Sequence, residues 1–570
     1  MFRSFPIHTL NQPTELAGMW TFQAEGREPM QVYVPSAWET YPGYESYRGK
    51  AVYSRDVLCT EETRFVFEGI SHTADVYLDD KLIAHHYNAF TAFEAIATGL
   101  EPGIHRLSIH VSNEFNEESA LHTENDYYTF GGITRPCYME ELDSLYVQSL
   151  HLTPVREDDS WALEIEAVIR NVSEDPQKFY LEAEADFLEE TTRISEPQEL
   201  AAGASVTICK KVSAANAETY SPDHPKLYEV ALYICDPNPD ELPEDADAES
   251  YSSIYDDRVE RVGFRTIEVK GNKILYNGKE LQIRGFNRHE YHPAFGCAIP
   301  PQIMDTDLNL FQDLGANAVR TSHYPQDPLF LDLCDEKGIM VWEENHARGF
   351  REDKMRNPHF EDQCEDVIRE MVRDDYNHPS IIIWGLLNEC ASETEYGRGC
   401  YEKQFALLKS LDHSRPTSFA SCKHFHDICL DLPDIVSFNI YPGWYDFQGM
   451  ESPEVQLQKL LDWIQTTPGA GKPFLITEIG AGGIYGYRSP NMDKWTEENQ
   501  AETLARQIPA VLNNPAVSGI FIWQFCDVRV TRSWAMSRPR SMNNKGIVDE
   551  YRRPKLAYAT VKKLYHELAK

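Results

Sequence analysis

The chain has 570 residues, 42% hydrophobic and 12% aromatic, which is too long for one core and apolar enough for a globular protein of several domains. Its 53 basic and 91 acidic side chains leave a formal charge of −38, which supports solubility and argues against nucleic acid as a partner. No run approaches the roughly 18 uninterrupted apolar residues of a membrane span, so no membrane contact is expected.

The N-terminal stretch Met1 to His8 lacks the apolar segment of a secretory signal, and a cytoplasmic protein is expected. The 12 cysteines form no CxxC pair and no Cys/His cluster at zinc spacing, so they read as reduced thiols. Residues 1–145 carry short strands separated by turns. Thr63 to Ile70 is one, and Ala74 to Lys81, alternating apolar and polar, is another. This pattern predicts a jelly-roll-like β-sandwich. Residues 146–265 continue in β, with runs such as Trp161 to Ile169, at the size of an immunoglobulin-like sandwich. Between Asp236 and Asp257 an acidic stretch containing prolines reads as a solvated, mobile connection.

From residue 266 to 570 the pattern changes to short apolar runs alternating with helical stretches. Several runs end in polar residues, as at Arg284 to Glu290, Ala318 to His323 and Val341 to Glu344. About eight such units in some 300 residues predict one (β/α)8 TIM barrel. Two of the runs, Ile381 to Glu389 and Pro473 to Glu478, each end in a carboxylate. A charge at the end of a buried strand is costly unless it has partners or a task. On the C-terminal face of a barrel, a facing pair of carboxylates is the equipment for cleaving a glycosidic bond.

Four segments occur in order at barrel spacing: Asn287-Arg288-His289-Glu290, Gly315 to Pro325, Trp384 to Asn388-Glu389, and Thr477-Glu478. Together they resemble glycoside hydrolase family 2, which includes β-galactosidases, β-mannosidases and β-glucuronidases, and which also has two β domains ahead of its barrel. The resemblance implies Glu389 as general acid/base at the end of the fourth strand, with Asn388 bonding the sugar 2-hydroxyl. It implies Glu478 as nucleophile at the end of the seventh strand. The implied mechanism is retaining, with the carboxyls about 5 Å apart. Arg320 and His323 then hold Glu478 ionised and oriented, and His289 supports the barrel or walls the site. Tyr441 faces the nucleophile, Tyr445 and Trp444 wall the pocket, and Trp523 forms its floor. Asp126, in Asn125-Asp126-Tyr127-Tyr128, either accepts from the sugar 3- and 4-hydroxyls or caps a turn.

Met542-Asn543-Asn544-Lys545-Gly546 resembles the Asn-x-Lys with which the family's glucuronidases grip the C6 carboxylate. An anionic sugar needs a fixed cation there and a neutral hexose does not. The arginine that assists in relatives has two candidates here, Arg538 and Arg540, neither cleanly aligned. The connection from Glu344 to a helix expected near Phe360 is short where some relatives carry an insertion over the pocket. That implies an open site or closure by another subunit.

The resulting expectation is an exo-acting retaining β-glucuronidase, without metal or organic cofactor, acting on small-molecule or oligosaccharide β-glucuronides, with monomer and homo-oligomer both open. The alternatives are a β-galacturonidase or dual hexuronidase, a neutral β-galactosidase or β-mannosidase, and a non-catalytic carbohydrate-binding protein.

Overall fold

A computed structural model describes residues 2–237, 254–445 and 451–569. The first sandwich pairs a four-stranded sheet with a six-stranded one, in the spatial order Met30–Val34, Gly18–Ala24, Lys50–Cys59, Gly103–Ser112, Thr73–Leu78, Lys81–Tyr87. In Thr73–Leu78, burial alternates residue by residue. Ala74, Val76 and Leu78 face a core with Trp20, Phe22, Phe65 and Phe67, as the period of two requires. The second sandwich sets the sheet of Leu145–Glu157, Ser160–Asn171 and Ser205–Ser213 against one built on Gln177–Ala185, Tyr228–Cys235 and Ile254–Val262. Leu163, Ile165, Phe179, Leu181 and Phe264 fill the space between them.

The acidic stretch after Asp236 falls mostly at residues 238–253, outside the described residues. Its last part is not a solvated connection. Asp256 and Asp257 belong to strand Ile254–Val262, where Asp256 accepts from the Val147 N–H at 2.8 Å and Asp257 from the Thr9 hydroxyl at 2.8 Å. Two carboxylates in a row are tolerated because backbone and side-chain donors meet them there.

Eight parallel strands then close a barrel. They are β1 (Ile283–Arg288), β2 (Ala318–Thr321), β3 (Met340–Glu344), β4 (Ile381–Leu386), β5 (Thr417–Ser421), β6 (Val436–Asn439), β7 (Phe474–Ile479) and β8 (Gly519–Ile522). Every residue of β4 and β7 is buried, which explains why both read as unbroken apolar runs. The helix Phe360–Asp375 begins where the sequence places it. Among the described residues no helix is long and apolar enough to cross a membrane.

The first sandwich does not stand apart from the barrel. Phe90, Leu121, Tyr127 and Phe130 share one core with Phe286, Tyr324 and Phe350, and the Phe90 ring stacks on Tyr324 with centroids 3.8 Å apart. Arg135 fastens the junction. Its buried guanidinium donates to the Phe90 carbonyl at 2.7 Å, the Pro325 carbonyl at 2.7 Å and Glu290 at 2.9 Å. Removing one member of a buried pair strands the other, at a cost of about 3–5 kcal/mol. Arg135→Met is therefore expected to lower the thermal midpoint by several degrees. A midpoint unchanged in calorimetry would show that the two units hold together without it.

Candidate active site

Site residues gather where the strands end, on the C-terminal face of the barrel, and the chain bends sharply to deliver one of them. After β4 the backbone is left-handed at Leu387 and Glu389, with φ of 41° and 55°. Non-glycine residues adopt that conformation at a cost of about 1 kcal/mol each. Three hydrogen bonds hold the turn: Leu387 N–H to the Asn345 side chain at 2.9 Å, Glu389 N–H to the Ala420 carbonyl at 2.8 Å, and Gly349 N–H to the Asn388 carbonyl at 2.7 Å. Glu389 Oε1 then accepts from Asn439 at 2.9 Å, and its other oxygen lies 3.8 Å from the Arg348 guanidinium.

Glu478, within β7, has a donor on each oxygen. Arg320 reaches one at 3.1 Å and the Tyr441 hydroxyl the other at 2.6 Å. Burial pushes this carboxyl up to about 7 and the nearby charge of Glu389 adds to the push, while Arg320, Tyr441 and Arg348 oppose it. Arg320, wholly buried in β2, also donates to Glu344 with two nitrogens at 2.9 Å, to Asn287 at 2.9 Å and to Asn388 at 2.8 Å. Asn388 Oδ1 further receives Asn439 at 3.3 Å, so one network runs from Glu389 to Glu478.

His323 directs Nδ1 at Glu344, 2.8 Å away, which makes that nitrogen the donor and leaves Nε2 bare, 4.0 Å from Glu478. Burial first, and then the Arg320 charge, holds its imidazole well below the usual range, so the ring is neutral. It stacks on Trp523 at 5.0 Å. His289, bonded to the Tyr324 hydroxyl at 3.1 Å and edge-on to Trp523, is likewise kept neutral, by burial first and then by the Arg348 and Arg320 charges.

Tyr441, Trp444 and Trp523 form one buried cluster, with Tyr445 packed against it. The Lys545 ammonium lies 5.7 Å from the Tyr441 ring centre and 5.4 Å from that of Tyr445. Lys545 is 2% exposed, and among the described residues no carboxylate or other acceptor pairs with its ammonium. Asn543 is fully buried with both side-chain polar atoms unpaired, and Asn388 Nδ2 is buried and unpaired as well. Buried polar groups without partners are costly, and a ligand that pairs with them would offset that cost.

Two expected residues are differently placed. Arg540 does not join the Lys545 side of the pocket. The backbone at Arg540 and Ser541 is left-handed, with φ of 63° and 56°, and the Arg540 side chain is exposed and paired with Glu550. Asp126 caps no turn. Arg538 clasps both of its oxygens, one at 2.9 Å. The sequence reading passed over Arg348, which sits on the short connection after β3 and is bonded to Asn125 of the first sandwich at 2.5 Å. It also passed over Glu344 and Asn439. Both end barrel strands in polar residues, as Glu389 and Glu478 do, and that shared pattern is the signal that marks them.

Residues 267–570 match the family described as "Glycosyl hydrolases family 2, TIM barrel domain". The chain belongs to this family. Residues 43–149 match "Glycosyl hydrolase 2 galactose-binding domain-like". As a family 2 glycoside hydrolase it is similar to a β-galacturonidase from Eisenbergiella tayi, 48% identical with a TM-score of 0.94, covering 100% of this chain and 99% of that one. The same enzyme has also been solved bound to galacturonate, where the match covers 100% of both chains. A β-glucuronidase of Paenibacillus borealis is 26% identical over 99% of this chain and 98% of its own. A putative β-glucuronidase of Formosa agariphila is 26% identical over 91% of this chain, which spans 64% of that relative's length.

A carboxyl whose ionisation is pushed up in the fold favours the folded state while protonated. That contribution is complete below the unfolded value near 4.3 and is lost as pH rises through about 7. Glu478→Gln is therefore expected to gain thermal stability over the wild type as pH rises from 5 to 8, by up to about 3 kcal/mol. Parallel melting curves across that range would refute the buried repulsion.

Proposed function

We propose that this family 2 hydrolase is an exo-acting, retaining β-hexuronidase that removes a terminal uronic acid, with galacturonides as its leading substrates. The observation that carries the uronate is the Lys545 ammonium, unpaired among the described residues beside Tyr441, with the unpaired Asn543 amide in the same turn. A neutral hexose leaves that charge uncompensated, whereas a C6 carboxylate completes it.

Glu478 is the nucleophile in this reading. Both of its oxygens accept from donors, and its Arg320 bond stabilises the anion. Glu478 attacks the anomeric carbon as Glu389 protonates the departing oxygen. Glu389 then deprotonates the water that frees the sugar. Asn388, through its unpaired Nδ2, donates to the 2-hydroxyl, and Tyr441, Tyr445 and Trp523 line the ring. Arg320 orients Glu478, His323 stacks on Trp523 and His289 backs Trp523. Asp126 meets the sugar only together with Arg538.

Similarity at 48% identity over the whole chain supports galacturonides over the glucuronides expected from sequence. Glucuronides remain the second reading, on relatives of that name matched end to end. Matched 4-nitrophenyl β-D-galacturonide, β-D-glucuronide and β-D-galactoside test both. Lys545→Ala should cost about 100-fold in kcat/KM on the preferred uronide, and NMR should show the β-anomer released first. Turnover of the galactoside alone by the wild type, or uronide turnover undiminished in Lys545→Ala, would dispose of the uronate reading.

A further inference from the structure

The turn that carries Asn543 and Lys545 is held from beneath by three buried side chains that face away from the sugar pocket. Lys555, just ahead of the helix Leu556–Leu568, is fully buried, and its ammonium spends all three protons. They go to the Gly483 carbonyl at 2.6 Å, Asp527 at 2.7 Å and the Asn544 carbonyl at 3.3 Å. The same Asp527 oxygen accepts the Gly546 N–H at 2.9 Å. Gln500, on the helix Glu497–Leu512, donates to the Gly546 carbonyl at 2.9 Å and the Lys545 carbonyl at 3.4 Å, and to the Ala481 carbonyl at 3.0 Å. A Cβ at Gly546 would stand 2.4 Å from the Asp527 nitrogen, so no other residue fits so close to that backbone. Asn544, Lys545 and Gly546 are thus each bonded by this group, while the Lys545 ammonium lies beside the Tyr441 and Tyr445 rings.

We propose that Lys555, Asp527 and Gln500 are positioning residues for uronate recognition: they fix the backbone on which Asn543 and Lys545 meet the C6 carboxylate. This rests on the uronate reading above. Polar side chains are costly to bury at this depth, and Gln500 Oε1 and Asp527 Oδ2 stay unpaired, yet four of the seven bonds described here go to the one turn. A long lysine side chain alone is a flexible point charge, and a fixed Cα is what converts it into a directed contact. Lys555 also sets a second cation under the same turn, which Asp527 neutralises, so that Lys545 is left as the charge a carboxylate meets.

The test is a double-mutant cycle on the preferred 4-nitrophenyl uronide, using Gln500→Leu, Lys545→Ala and the pair, with Lys555→Met as a second probe. Enzyme loading is raised so that residual rates remain measurable. Gln500→Leu is expected to lower kcat/KM about 10-fold with a thermal midpoint close to wild type. In the Lys545→Ala background the same replacement should cost less than about 2-fold, because its effect runs through the missing ammonium. A full 10-fold loss in both backgrounds, or no loss from a folded Gln500→Leu, overturns the proposal. If Lys545→Ala itself retains wild-type activity on the uronide, the uronate reading falls and takes this one with it. If Lys555→Met does not fold, the Gln500 cycle decides alone.

Discussion

A single buried guanidinium, that of Arg320, ties the catalytic face together. It rises from β2 with no exposure and bonds to four side chains from four other strands or their ends: Asn287, Glu344, Asn388 and Glu478. Two of these partners are anions, and the paired charge lets a buried cation persist in the fold. Planar geometry matters as much as charge. A lysine could neutralise Glu478, but it could not hold Glu344 through two parallel bonds and still orient an amide on either side. Glu344 in turn fixes His323 in one tautomer, while burial and the Arg320 charge keep its ring neutral. The positions of both proposed catalytic carboxylates therefore trace to one side chain.

The local electrostatics oppose the global ones. The chain carries a net charge of −38, yet Arg320, Arg348, Arg538 and Lys545 cluster around the mouth of the barrel. Arg320 and Arg538 are matched by carboxylates, while Arg348 stands 3.8 Å from Glu389 and the Lys545 ammonium is matched by none among the described residues. An acidic exterior limits non-specific binding of other anions, and in the proposed uronate reading selection of the sugar would rest on a few fixed donors at short range.

Much of this arrangement was legible in the sequence, for a physical reason. Barrel strands buried on both faces must be apolar, so a polar residue at a strand end is conspicuous, and Glu389, Glu478, Arg320 and His323 all stand out in that way. The period-two alternation of Ala74 to Leu78 was equally readable, since one face of that sheet packs inward. What escaped depends on contacts distant in sequence. Arg348 lies in an irregular connection and acquires its place only through Asn125, 223 positions away. Arg538 and Arg540 look alike on paper, and a left-handed turn at Arg540 sends one to Asp126 and the other to Glu550. Asp256 and Asp257 read as solvated because their partners, Val147 and Thr9, come from other strands and from the N-terminal segment.

The reach of the first sandwich into the barrel mouth divides chemistry from selection along the chain. The two glutamates, Arg320 and the Lys545 turn all belong to residues after 266, but Asn125 holds Arg348, and Asp126 holds Arg538. Two arginines at the barrel mouth thus take their positions from a domain other than their own. In the proposed reading, discrimination among sugars would be a quaternary-like property written into a single polypeptide. Drift at the seam between the sandwich and the barrel can retune what the enzyme accepts without touching a residue that reacts.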